Sequence, residues 1–563
     1  MTLFQGAYFY RQISPSQRGE ETKLGAEKRL RRVASAALWL IVCALSSSAA
    51  YAGQIVVPAG GNLQAAIDNA RYGDEIVVEA GASFQGPIIL RNKGPLPAGM
   101  TDDRAYITIR SSRLADLPPA GTRVSPQHAS LMPKVLSGSA DQGALQTETS
   151  AHHYKIIGIE FLPAAANQFV YDLIILGKGG FTYGQNTLEE VPHHFIFDRC
   201  YIHAYPTQEL KRGIALNSSD TEIINCYISD FKSRSQDSQA ICGWNTPGNL
   251  RIENNYLEGS GENFMMGGSD IALQNVVPSN IVFRRNYVRK PPEWHGVWVV
   301  KNLFELKIGK NVLIEANIFE NCWVSGQNGT GIVLKVQNQD GRAPWTTLED
   351  VVFKNNIVRN VSAGVSLLGL DYLQNFNAGQ AKRLRFENNL IIANNPWRDG
   401  GGQGIMLNPY VEDLQVIHNT IHSGNVVLQI EEGSPYQHSN WPNRNARLVF
   451  MNNIGTMRGV ASGPYAGTAA LNYEATNWQY RGNVYADYYG AYDCDTSQTI
   501  CYPVGNYNTG PNNILETIKF TDVAAGNYRL RPDSPFKGRA ANKRDVGCNF
   551  DLLEEITRGV VQK

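Results

Sequence analysis

The chain has 563 residues, and its 51 Lys and Arg are balanced by 51 Asp and Glu. That balance excludes the basic excess of a nucleic-acid-binding protein. With 53 Gly and 10% aromatic residues, the composition fits a strand- and turn-rich protein long enough for one large core.

The N-terminus has the order of an export signal. Lys28, Arg29, Arg31 and Arg32 precede an apolar run from Val33 to Leu45, then Ala50-Tyr51-Ala52. Basic, apolar, small-x-small predicts cleavage after Ala52, giving a signal peptide over 1–52 and one mature domain over 53–563. The run is too short to span a bilayer. The expectation is a secreted or periplasmic protein, free of the membrane after cleavage and monomeric. Leu63–Ala70 reads as a short amphipathic helix, and Gly73–Gly81 as a strand between glycines.

A repeat then dominates. An apolar pair, a polar pair and another apolar pair recur around Cys200, Cys226, Asn255, Asn286, Asn317, Asn356, Asn389, Asn419, Asn453 and Asn483. The steps are 26, 29, 31, 31, 39, 33, 30, 34 and 30 residues, one solenoid coil each. An Asn at a tight turn bonds exposed backbone groups and tolerates unusual backbone angles. Stacked coil on coil, such amides form a ladder. Cys200 and Cys226 share this column, as a thiol stack or a disulfide. Cys494 and Cys501 flank a short loop suited to a local disulfide, and the remaining cysteines read as buried thiols. No pair of cysteines has zinc spacing.

The fold class expected is all-β: a single-stranded right-handed parallel β-helix with an N-terminal helical cap, coils over about 54–484 and an irregular closing segment over 485–563. The helix, the Gly73-Asp-Glu-Ile-Val strand and the Asn repeats resemble the pectate-lyase-like right-handed β-helix superfamily. That resemblance covers roughly Gln54 to Val484. It implies the fold; the superfamily holds lyases, hydrolases, esterases and tailspikes.

Alternation places candidate chemistry on one outer stripe. In Lys301–Lys307, Phe304 and Leu306 point inward, and Glu305 and Lys307 outward. In Gly331–Gln337, Lys335 and Gln337 point outward. The same parity exposes Asn217, Asn263, Met265, Asn408, Gln429 and Glu431. A long polar face suits an extended polymer, and Trp244, Trp294, Trp298, Trp323 and Trp345 offer flat faces to sugar rings. β-Elimination of a uronate needs positive charge on the carboxylate and a base whose pKa is lowered, as crowded lysines provide. Lys307, Lys335 and Glu305 are therefore the candidate catalytic groups. Lys301, Asn263, Gln337, His295 and Trp298 are the candidate substrate-binding groups, with Arg289 in the loop before them.

Lys307-Ile-Gly-Lys-Asn311-Val312 also resembles the Lys-x-x-x-Asn-Val stretch of alginate and chondroitin lyases of this fold, which implies Lys307 as base. Lys335 stands where that family has an arginine. Val300 and Asn302 stand where it has acidic calcium ligands; calcium is the one cofactor the resemblance suggests, and the residues specify no metal set. The function expected is an exported carbohydrate-active protein, most simply a polysaccharide lyase. Its alternatives are a non-catalytic polysaccharide-binding or surface solenoid, or a glycoside hydrolase using Glu262 and Asp237. Phosphate-loop, zinc-protease and nucleophile-elbow motifs are absent.

Overall fold

The computed structural model describes residues 53–181, 184–370, 377–431, 445–487, 505–510 and 514–561. The expected signal peptide over 1–52 and the Cys494–Cys501 pair lie outside these residues. Residues Gln54–Lys563 form one compact unit.

Three long sheets make up this unit, and their strands follow one another in rotation. Sheet A has 16 strands, sheet C 13 and sheet B 14 among the described residues. One turn of the chain adds a strand to A, then B, then C, as in His152–Ile157, Glu160–Leu162 and Asp172–Leu176. Each strand pairs in parallel with its counterpart one coil on. Such pairing of consecutive coils is possible only in a parallel β-helix, and crossovers between parallel strands are right-handed.

The register stacks like on like. In sheet A, Ile252 lies against Phe283, then Ile314, Phe353, Phe386 and Val416. All six are fully buried, and each buried side chain of this size contributes about 1.5–3 kcal/mol. The alternation of apolar and polar residues along each strand is what fixes this register, because a one-residue slip would turn the column outward.

From the coil that begins at His152 onward, the corner from sheet A to sheet B is two residues long. Its first residue is left-handed: Asn254, Arg285, Ala316, Asn355, Asn388, His418 and Asn452 have φ of 55–58°. The residue after it is the repeated Asn, so the unusual backbone angle belongs to its neighbour. The Asn supplies hydrogen bonds instead. Each backbone N–H from Cys226 to Asn483 donates to the Oδ1 of the Asn one coil on, at 2.8–3.0 Å. This column runs one coil beyond the repeat read from sequence, to Asn506. At its start Cys200 N–H donates to Cys226 Sγ at 3.4 Å. Both cysteines are free thiols, so the disulfide alternative is excluded.

Helix α1, Leu63–Asn69, covers the first coils. Asn62 caps it by accepting from Ala65 N–H at 2.9 Å, and Leu63, Ala66 and Ile67 face the core. The C-terminal segment is a strap rather than a plug. Helix α2, Phe550–Thr557, lies along the outer face of sheet B. Cys548 N–H bonds Thr420 Oγ1 at 3.1 Å, and Asn549 N–H bonds Asn388 Oδ1 at 2.6 Å. Further along, Arg285 donates to Ile556 O, and buried Arg123 donates to Val560 O at 3.0 Å and Asn254 O at 2.8 Å. The strap thus runs back over several coils. No helix of the described residues is long and apolar enough to cross a membrane.

Candidate functional site

Six consecutive strands of sheet C carry the site: β1 Asp172–Leu176, β2 Arg212–Leu216, β3 Gln239–Gly243, β4 Glu262–Met266, β5 Asn302–Leu306 and β6 Thr330–Lys335. Their register aligns Asp172, Arg212, Gln239, Glu262 and Asn302 in one polar column. A second column aligns Cys242, Met265, Glu305 and Val333. Lys307 follows Leu306, and Lys335 follows Leu334, its register partner. The two lysines therefore emerge side by side from neighbouring coils.

They meet over one carboxylate. Glu305 Oε1 lies 3.7 Å from Lys307 Nζ and 3.6 Å from Lys335 Nζ. Its Oε2 accepts from Asn302 Nδ2 at 2.9 Å. The Glu305 side chain is only 1% exposed, against 13% for Lys307 and 23% for Lys335. Expected among the catalytic groups, Glu305 is buried beside the two lysines.

A cleft of about 270 Å³ opens beside Lys307, lined by Lys211, Arg212, Asp237, Trp244 and Lys301 among others. Arg212 bonds Asp172 at 2.9 Å and lies 4.9 Å over the Trp244 ring. Lys301 Nζ contacts Asp237 Oδ2 at 2.6 Å and Glu262 Oε1 at 3.8 Å. Glu262 is buried, and Gln239 Nε2 donates to it at 2.7 Å. Burial, then the nearby carboxylates of Glu305 and Asp237, push Glu262 up to about 6. Burial and neighbouring Arg212 lower the pKa of Lys211. Burial opposes the charge of Lys301, but Glu262 and Asp237 outweigh it and raise its pKa.

Beneath the cleft, the β4 strand is entered by a turn that Lys290 holds. Its ammonium donates to Gly259 O at 2.7 Å and to Ser260 O, Gly261 O and Asn263 Oδ1 at 3.0 Å. Complete burial pushes Lys290 down to about 8. This turn also explains where alternation fails. Asn263, expected on the surface, is fully buried and donates to Leu257 O and Arg289 O at 2.8 Å. Close behind a tight corner, it serves carbonyls of its own and the next coil. Asn217 is likewise buried, its Oδ1 accepting from Trp244 N–H at 3.1 Å and Asn245 N–H at 2.9 Å. Met265 is buried, while Asn408, Gln429 and Glu431 are half-buried.

The other expected binding residues disperse. Trp298 is buried with Arg234 at 4.0 Å over its ring. His295 stacks on Trp397 at 5.1 Å and lies 4.0 Å from Asp399, in a separate aromatic group with Trp323. Neither residue lines the cleft. Gln337 is half-buried next to the lysine pair, and its N–H donates to Lys307 O at 3.1 Å. Trp294 and Trp323 are buried, and Trp345 bonds Val276 O; Trp244 alone of the five singled out lines this cleft. Lys211 and Arg212 were not singled out from sequence. Their one signal is two adjacent cations at the start of an apolar strand.

The cleft carboxylates do not suit a calcium ion. Asp237 and Glu262 are engaged by Lys301, and Glu305 by Lys307 and Lys335. Groups of three or more metal-competent side chains among the described residues occur only at His152, His153, His193, His194 and Asp102.

The parallel register of three sheets, the helical cap and the Asn-bonded corners decide the architecture. The fold is a right-handed parallel β-helix. No family model and no curated protein matches the chain. Solved β-helices similar to it include a PL6 family alginate lyase, AlyGC, at 11% identity and a TM-score of 0.49, covering 90% of this chain and 58% of that one. A second PL6 alginate lyase, in complex with a trisaccharide, has 12% identity and a TM-score of 0.42 over 89% of this chain and 95% of that one. Pectate lyase Pel9A has 10% identity and a TM-score of 0.32 over 89% and 97%. The chain thus spans under two thirds of the length of AlyGC. At such identities the chemistry of this β-helix has to be argued from its own cleft.

Proposed function

We propose that the protein is an exported polysaccharide lyase that cleaves an acidic, uronate-containing polymer by β-elimination. The observation that carries this reading is the pair Lys307 and Lys335, set side by side over buried Glu305, with Lys307 at the wall of a cleft that holds three further cations. Lys211, Arg212 and Lys301 supply positive charge where a row of uronate carboxylates would lie. Trp244 offers a ring face to a sugar.

In this reaction Lys307 Nζ takes the C5 proton of the uronate. The C5–H electron pair forms the C4–C5 double bond as the C4–O4 bond breaks. The proton then passes from Lys307 to the leaving oxygen. Lys335 balances the charge that builds on the carboxylate as the proton leaves. Glu305 is a positioning residue: it holds both ammonium groups within reach of one sugar.

One observation favours a hydrolase as the second reading. Glu262, pushed up to about 6 by burial and by Glu305 and Asp237, has the acidity of a general acid. Its side chain is 1% exposed under Lys301, which keeps it from a glycosidic oxygen and leaves the lyase as the conclusion.

The test is a panel of uronate polymers and neutral glycans, with and without Ca²⁺, followed by ultraviolet absorbance for the unsaturated product. A rise on a uronate polymer supports elimination. New reducing ends without unsaturation would move the assignment to hydrolysis. Tight binding with no cleavage would leave a polysaccharide-binding solenoid.

A further inference from the structure

Away from the cleft, on sheet A, two His-His dipeptides lie one coil above another. His152 pairs in register with His193, and their rings stack at 4.7 Å with planes 3° apart. His153 and His194 stack at 4.5 Å. Within each dipeptide the two Nδ1 atoms face each other at 2.6 Å.

The outer nitrogens of His152 and His153 have hydrogen-bond partners, and that of His194 faces a carboxylate. His152 Nε2 lies 3.0 Å from Gly94 O and 3.0 Å from Tyr72 Oη. His153 Nε2 lies 3.2 Å from Asp102 Oδ1, and His194 Nε2 lies 3.7 Å from Asp102 Oδ2. An N–H directed at a carbonyl or carboxylate leaves the other ring nitrogen as a lone pair, the arrangement seen behind metal-bound imidazoles. Between His152 and His153 the two Nδ1 atoms then face each other at 2.6 Å, where they share one proton or, opened slightly, one metal ion.

The fold does not ask for histidine here. His153 and His194 hold φ of 60° and 59°, and the same left-handed column continues as Asp220, Asn249, Asn280, Asn311 and Asp350. Asn and Asp satisfy that backbone in the later coils, so the imidazoles of His153 and His194 answer to a different demand.

We propose that His152, His153 and His193, backed by His194 and Asp102, bind one divalent first-row transition-metal ion of the zinc, nickel or copper type. One ligand atom from each of the three histidines lies within 4.8 Å of the other two. An ion at about 2.1 Å from each nitrogen needs the close pair to open by less than about 1 Å, which side-chain rotation supplies. Imidazole donors select such ions over calcium and magnesium. Asp102 is exposed and His194 half-exposed, which gives the ion a way in. Bound there, it ties together the two coils whose sheet A strands begin at His152 and His193.

The experiment is isothermal titration of the full, untagged chain with Zn²⁺ and Ni²⁺, with Ca²⁺ and Mg²⁺ as controls, and metal analysis after dialysis. The expected result is one tightly bound Zn²⁺ per chain, no heat with Ca²⁺ or Mg²⁺, and a higher Tm with Zn²⁺. The double variant H153N/H194N adopts the residue type of Asn249 and Asn280, and should fold with unchanged metal-free Tm while losing about 100-fold in affinity. His193→Ser, which matches Ser219 in the next coil, is a second variant with the same expected loss. Absence of bound Zn²⁺, or binding that both variants retain, overturns the proposal; the latter result would mean an adventitious ion only.

Discussion

Replacing Asn286 by Ala removes one rung of the Asn column in the coil that carries Lys307. The Asn286 Oδ1 accepts from Asn255 N–H at 3.0 Å and from Asn255 Nδ2 at 3.1 Å. Its Nδ2 donates to Ile252 O at 2.9 Å and to Asn317 Oδ1 at 3.1 Å. Asn286 and Asn255 are fully buried, so the alanine leaves the Asn255 N–H without its acceptor. An orphaned buried donor costs about 1–3 kcal/mol and each further lost bond about 1 kcal/mol, giving roughly 4 kcal/mol. Amide exchange at Asn255 should accelerate by about a thousandfold, since each 1.4 kcal/mol is a factor of ten. The urea midpoint should fall with it. Asn286→Cys should cost less, because Cys226 occupies a rung of the same column and accepts from Cys200 N–H. A loss below about 1 kcal/mol, or a cysteine variant worse than the alanine, would refute the rung as a source of stability.

Lys307→Met should reduce turnover by about 10²–10⁴ with polymer binding largely kept, whereas Lys211→Ala should raise KM more than it lowers kcat; steady-state kinetics separates the two. Glu262 has a folded pKa of about 6 against an ordinary 4.5, so its contribution is fully present below pH 4.5 and lost as pH rises through 6. That loss amounts to about 2 kcal/mol, and Glu262→Gln should flatten this part of the urea-midpoint-versus-pH curve. The thiols of Cys200, Cys226, Cys242, Cys322 and Cys548 are buried, and burial raises Cys242 to about 11; a thiol reagent should reach these five only on unfolding. Arg123→Ala removes the bonds to Asn254 O and Val560 O, and limited proteolysis should then cut the C-terminal strap first.

The sequence by itself determined the solenoid. A turn that needs one left-handed residue and one amide recurs at each coil, and chemistry repeated at a fixed position is visible without coordinates. It also determined that Lys307 and Lys335 share a face, because strand parity is local. Tertiary structure decided the rest. Glu305 is buried beside its lysines, and Asn263 is turned inward by a corner carrying a buried ammonium, where parity no longer holds. Register across loops of unequal length decided which distant cations meet, bringing Lys211 and Arg212 to Lys301 and Lys307. It likewise stacked His152 and His153 under His193 and His194, two dipeptides ordinary in sequence that become one cluster only when the coils are laid on each other.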